Sequence, residues 1–137
     1  MRRPLVVAAL ILTASVPVYG QAVLNPTLVS FTVSANHSDT LPDASSMVTR
    51  YEIRFYAPSA TSPVSTSNLG KPTPNASGIA SADLAALIVA FPLDPAIQYV
   101  ARIVALGPTG VSDESPSSNP FVRAGKPGAP ANVVVSR

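Results

Sequence analysis

Between residues 29 and 35 apolar and hydroxyl-bearing side chains alternate strictly, with Val29, Phe31, Val33 and Ala35 on one face and Ser30, Thr32 and Ser34 on the other. Successive side chains of an extended chain point to opposite sides, so this period of two predicts a strand with one buried face. The period returns over residues 48–56. There Tyr51, Ile53 and Phe55 are assigned to the core, and Arg50, Glu52, Arg54 and Tyr56 to the outside. It is longest over residues 97–106, where Tyr99, Ala101, Ile103 and Ala105 form one face and Val100, Arg102 and Val104 the other.

The stretches between these runs are rich in turn formers. Residues 36–46 (NHSDTLPDASS) predict a surface loop, because Asx and Ser side chains satisfy local backbone groups and Pro42 cannot donate to a ladder. Residues 57–77 hold four prolines and predict at most a short edge strand near 64–69. Residues 79–91 (IASADLAALIVAF) are ambiguous, since their Ala and Leu content suits a helix and their position suits a strand, which we place at 79–84. A last strand is expected at 121–123. Short strands with turn-rich punctuation and no heptad or long amphipathic helix predict an all-β sandwich of about seven antiparallel strands.

Composition changes the picture chiefly at the ends. Met1, Arg2 and Arg3 precede an apolar stretch, and small residues follow at Gly20 and Ala22, the layout of a secretory signal over residues 1–20. The alternative is an uncleaved anchor, but the strongly apolar part from Leu5 to Val18 falls short of the ~20 residues that span a bilayer. Cleavage after Gly20 or Ala22 implies a secreted, periplasmic or cell-surface protein without membrane insertion. Losing Arg2 and Arg3 from nine basic residues leaves seven against seven acidic ones, so the formal net charge of +2 falls to zero. No electrostatic case for nucleic acid or anionic membranes then remains. With no cysteine in the chain, the domain expected over residues 21–124 relies on its core alone, without disulfides.

The stretch Leu93-x-Pro95-x-x-x-Tyr99, followed by Ile103-x-Ala105 and Gly107-Pro-Thr-Gly110-Val-Ser112-x-x-Ser115, resembles the E–F corner, F strand and F–G turn of fibronectin type III domains. Tyr51-x-Ile53-x-Phe55 resembles their C strand, and the likeness extends over roughly residues 26–124. The resemblance implies an immunoglobulin-like sandwich in which Tyr99 packs its ring in the core and sends its hydroxyl to an upstream backbone group, with Leu93 and Pro95 forming the corner. The chain departs from the family in having no tryptophan for strand B, where Phe31, Val33 or Ala35 must fill the core instead. Residues 125–137 resemble a linker and the opening strand of a following domain, and are read either as a tail along the chain's own sandwich or as the start of a tandem neighbour.

Chemistry is sparse. A Ser/His/Asp site would need a nucleophile and an orienting acid about His37, the one histidine, and nothing in the sequence positions them. His37, Asp39 and Asp43 lack the organised spacing of a cation loop, so no metal is expected. Asp113 and Glu114 read as a solvated turn and Glu52 as an ion-pair partner of Arg50 and Arg54, rather than as paired catalytic acids. No phosphate loop or cofactor signature is present, and no cofactor is expected. What remains is a face: if the strands at 48–56 and 97–106 are neighbours, Arg50, Glu52, Arg54, Tyr56, Val100, Arg102 and Val104 project together. Arginine, tyrosine and exposed valine suit recognition of a protein or polysaccharide. The expectation is an exported, non-catalytic binding or adhesion module. The alternatives are a structural spacer without a ligand, such as stands beside secreted carbohydrate-active enzymes, and an enzyme with a cleft around His37.

Overall fold

The computed structural model describes residues 21–90, 93–124, 131 and 134–136. The expected export signal lies outside these residues, as does most of the expected tail at 125–137. Eight strands and one short helix run in the order β1 (Val23–Leu24), β2 (Leu28–Thr32), β3 (Arg50–Tyr56), β4 (Ser65–Gly70), β5 (Ile79–Asp83), α1 (Leu84–Ala90), β6 (Gln98–Gly107), β7 (Gly110–Val111) and β8 (Phe121–Val122). One sheet has the order β1-β8-β6-β3-β4, with β7 also paired to β6, and the other consists of β2 and β5.

The two sheets share one apolar interior. Ile53 and Phe55 from β3, Tyr99 and Ala101 from β6 and Phe121 from β8 meet Leu84 and Leu93, and Val29 of β2 packs against them. Ile53 and Phe55 are wholly buried; each such side chain stabilises the fold by about 1.5–3 kcal/mol relative to exposure. Of the three residues expected to fill the β2 side of the core, Phe31 sets its ring 5.0 Å from that of Tyr51 in the opposite sheet.

The ambiguous stretch at 79–91 resolves into both of its readings. The strand ends at Asp83 rather than 84, because the Asp83 carboxylate accepts the N–H groups of Ala85 (2.9 Å) and Ala86 (3.2 Å) and so caps the helix that follows. After α1 the chain turns at residues 94–97. There the Tyr99 hydroxyl accepts the N–H of Asp94 at 3.0 Å, Leu93 is buried and Pro95 is exposed.

The edge beside β6 has an unusual construction. Ser112, Ser115 and Ser118 donate their N–H groups to the carbonyls of Ala105, Ile103 and Ala101 at 2.8–2.9 Å. Their hydroxyls accept the N–H groups of the same three β6 residues at 2.9 Å, and donate in turn to the next carbonyl along their own strand. The pattern closes at Phe121, which pairs with Tyr99. Three residues of this segment therefore pass every two of β6, one extra residue per repeat, which is a series of bulges with serine side chains replacing backbone acceptors. The serines recur as Ser112-x-x-Ser115-x-x-Ser118, and a period of three is not a strand signal.

Candidate functional site

Antiparallel pairing sets Arg54 of β3 directly opposite Arg102 of β6, Glu52 opposite Val104 and Tyr56 opposite Val100. Two like charges facing each other across a ladder repel. The bulged edge resolves this, because the extra residues in each serine repeat bring Glu114 over the sheet. Its carboxylate bridges the pair, with Arg54 Nη1 3.0 Å from Oε1 and Arg102 Nη1 2.9 Å from Oε2. The Tyr56 hydroxyl donates to the same carboxylate. The Arg102 guanidinium lies over the Tyr56 ring, 4.6 Å from its centre, and donates from Nε to the Ser117 hydroxyl at 3.0 Å.

The electrostatics follow from these contacts. Hydrogen bonds from Tyr56, Arg102 and Arg54 lower the Glu114 pKa from 4.5 to about 2. The hydrogen bond to Glu114, with burial adding to it, raises that of the Tyr56 phenol, since an ionised phenolate beside the carboxylate would be repelled. The cluster is a fixed arrangement of charge at neutral pH.

Several expectations for this face need correction. Tyr56 is 4% exposed and Val104 1%, so neither presents an open surface. Tyr56 is closed over by Arg102 and Glu114. Glu114 is no solvated turn residue, since it holds two arginines. The acid that serves Arg54 is Glu114 rather than Glu52, which pairs with Arg50 along the same strand at 3.2 Å. Val100, Arg54 and Arg102 are half-buried, and Arg50 is the exposed member of the set. Beside the cluster a cleft of ≈ 660 Å³ is lined by Tyr56, Pro58, Gln98, Val100, Arg102 and Pro120. Pro58 and Pro120 carried no signal in the strand pattern, because both lie in connections brought together by the pairing of β6 with β3 and β8.

His37 is also corrected. It is buried, not a surface-loop residue, with its ring stacked on Tyr51 at 5.8 Å and 15°. The Tyr51 hydroxyl accepts the N–H of Ser34 at 3.1 Å and shares a hydrogen bond with His37 Nδ1 at 2.9 Å. Burial raises the Tyr51 pKa, opposed by the Ser34 N–H. Asp39 is held instead by Asn36 Nδ2 at 2.7 Å, and Asp43 by the hydroxyl and N–H of Ser45 at 2.6 and 2.9 Å. Among the described residues no group of three or more His, Cys, Asp or Glu is placed to hold a metal ion. No protein family model, curated protein or solved structure matches the chain.

Proposed function

We propose that the protein is an exported, non-catalytic binding or adhesion module, built as a divergent immunoglobulin-like sandwich of the fibronectin type III kind, that engages a protein or glycan outside the cytoplasm. The observation that carries the reading is the cleft beside the Tyr56–Arg102 stack, where an aromatic ring, a fixed guanidinium and an amide from Gln98 border apolar walls. Such a mixture of apolar surface and a few held polar groups suits recognition. The sandwich likeness is supported by the strand order and by the Tyr99 hydroxyl on Asp94 N–H. The non-catalytic reading is supported by the engagement of His37 with Tyr51 rather than with an acid.

The spacer reading has its own support, because Arg54, Arg102 and Glu114 satisfy one another and leave less charge free for a ligand. The two are separated by capture from the producing cell's envelope and medium, using the protein beside a variant in which Ala60→Lys and Gln98→Lys obstruct the cleft without touching the Glu114 cluster. A partner taken by the first and lost by the folded second supports a binding module. Capture by neither favours the spacer, and equal capture by both places the binding site away from the cleft.

A further inference from the structure

The outer face of β6 carries Gln98, Val100 and Arg102 in a row, because alternate residues of a strand share a face. The cleft of ≈ 660 Å³ runs over this row. Since β6 lies between β3 and β8, the turn at 57–60 that follows β3 borders the cleft on one side, and Pro120 with residues 21–22 borders it on the other. A row of alternate side chains between two walls suits an extended segment, and the volume holds a few residues of one.

Among the described residues that line the cleft, Arg102 carries the one charge, and no acid is present. Its guanidinium is held by the Tyr56 ring, the Ser117 hydroxyl and the Glu114 carboxylate, yet the side chain is 36% exposed. A guanidinium has five N–H groups, of which one on Nε and one on Nη1 are engaged. Both on Nη2 and the second on Nη1 have no acceptor among the described residues. Glu114 has both oxygens occupied by Arg54, Tyr56 and Arg102, and two guanidiniums against one carboxylate leave the cluster a net charge of +1.

A planar donor edge held in place matches a carboxylate, whose two oxygens accept N–H bonds in one plane. Resting on the reading of this cleft as the binding site, we propose that its ligand is an acidic peptide segment, extended along β6 with a carboxylate on the free edge of Arg102 and apolar side chains against Ala57, Pro58, Val100 and Pro120. Gln21 and Gln98 are exposed beside it and supply amides for the peptide main chain.

Two features favour a peptide over a saccharide. A sugar is gripped by stacking its C–H face on an open aromatic ring, and here Tyr56, the one aromatic among the described lining residues, is 4% exposed beneath Arg102. The walls of Ala, Val and Pro match aliphatic side chains, whereas sugar hydroxyls set against them would lose water without finding partners.

The test is selection of a phage-displayed library of random linear peptides on the protein, followed by fluorescence anisotropy with the enriched sequences. Enrichment of Asp or Glu beside apolar residues is expected, and replacing that acid by its amide should weaken binding at least about tenfold. Ala60→Glu and Ala60→Gln place side chains of equal size at the cleft and spare the main-chain bond from Ala60 to Ala57, with circular dichroism to verify the fold. The Glu variant should bind at least about tenfold more weakly than the Gln variant, and Arg102→Lys, which keeps the charge and loses the planar fork, should also weaken binding. Peptides that both Ala60 variants weaken equally, and whose affinity ignores the acid, overturn the acidic ligand and leave the cleft as the site. Binding untouched by both Ala60 variants overturns the cleft itself. Failure to enrich any peptide overturns the proposal, as does a saccharide from a glycan array that binds the protein and is lost in both Ala60 variants.

Discussion

Replacing Glu114 by Gln keeps the size of the side chain and removes its charge. It leaves Arg54 and Arg102 facing each other across the ladder with no carboxylate between them. A pKa lowered from 4.5 to about 2 corresponds to about 3 kcal/mol of preference of the folded state for the carboxylate. Because the Glu114 side chain is 25% exposed, solvent screens part of this, and we expect about 1.5 kcal/mol at pH 7. The folded pKa is depressed, so this stability is present above the unfolded value of 4.5 and is lost as pH falls toward 2. Below that, a protonated Glu114 and a glutamine are both neutral. Urea unfolding of the protein and of Glu114→Gln at a series of pH values should therefore give a gap in stability that is full at neutral pH and closes near pH 2. A gap under about 0.5 kcal/mol at pH 7 would refute the reasoning, because that is the level of an ordinary surface substitution. So would a gap that does not change with pH.

Four other substitutions probe the frame that holds this cluster. Tyr99→Phe removes the acceptor of the Asp94 N–H and should destabilise the fold by roughly 1–3 kcal/mol in chemical denaturation; an unchanged midpoint would remove the corner assignment. Ser115→Ala deprives the part-buried Ile103 N–H of its acceptor and should cost about 1–2 kcal/mol, whereas the exposed Ser117→Ala should cost under about 0.5 kcal/mol; equal losses would show that the serine repeat has no structural role. Gly107→Ala would place a Cβ 1.9 Å from the backbone oxygen of Met47, so a loss of roughly 2 kcal/mol or more is expected, and thermal unfolding at wild-type temperature would count against the close approach.

The sequence determined what a period of two can determine. Alternation at 48–56 and 97–106 identified β3 and β6, their register-compatible faces and the core residues Tyr51, Ile53, Phe55, Tyr99 and Ala101, because burial of one face forces that pattern on any half-buried strand. It also brought Arg54 and Arg102 to one surface. It did not reveal β1, whose two residues are too few to alternate, nor the bulged edge, whose serines follow a period set by the hydrogen bonds they make with another strand. Tertiary structure alone decided that His37 stacks in the interior on Tyr51, that Tyr56 lies beneath Arg102, and that Glu114 rather than Glu52 serves Arg54. Local pattern assigns a residue to a face. Partnership between side chains sixty residues apart, as for Arg54 and Glu114, depends on which strands lie side by side and how many residues each uses to cover the same length. That count is fixed by the hydrogen bonds between β6 and the serine repeat, and so the charge cluster exists only once the sheet has formed.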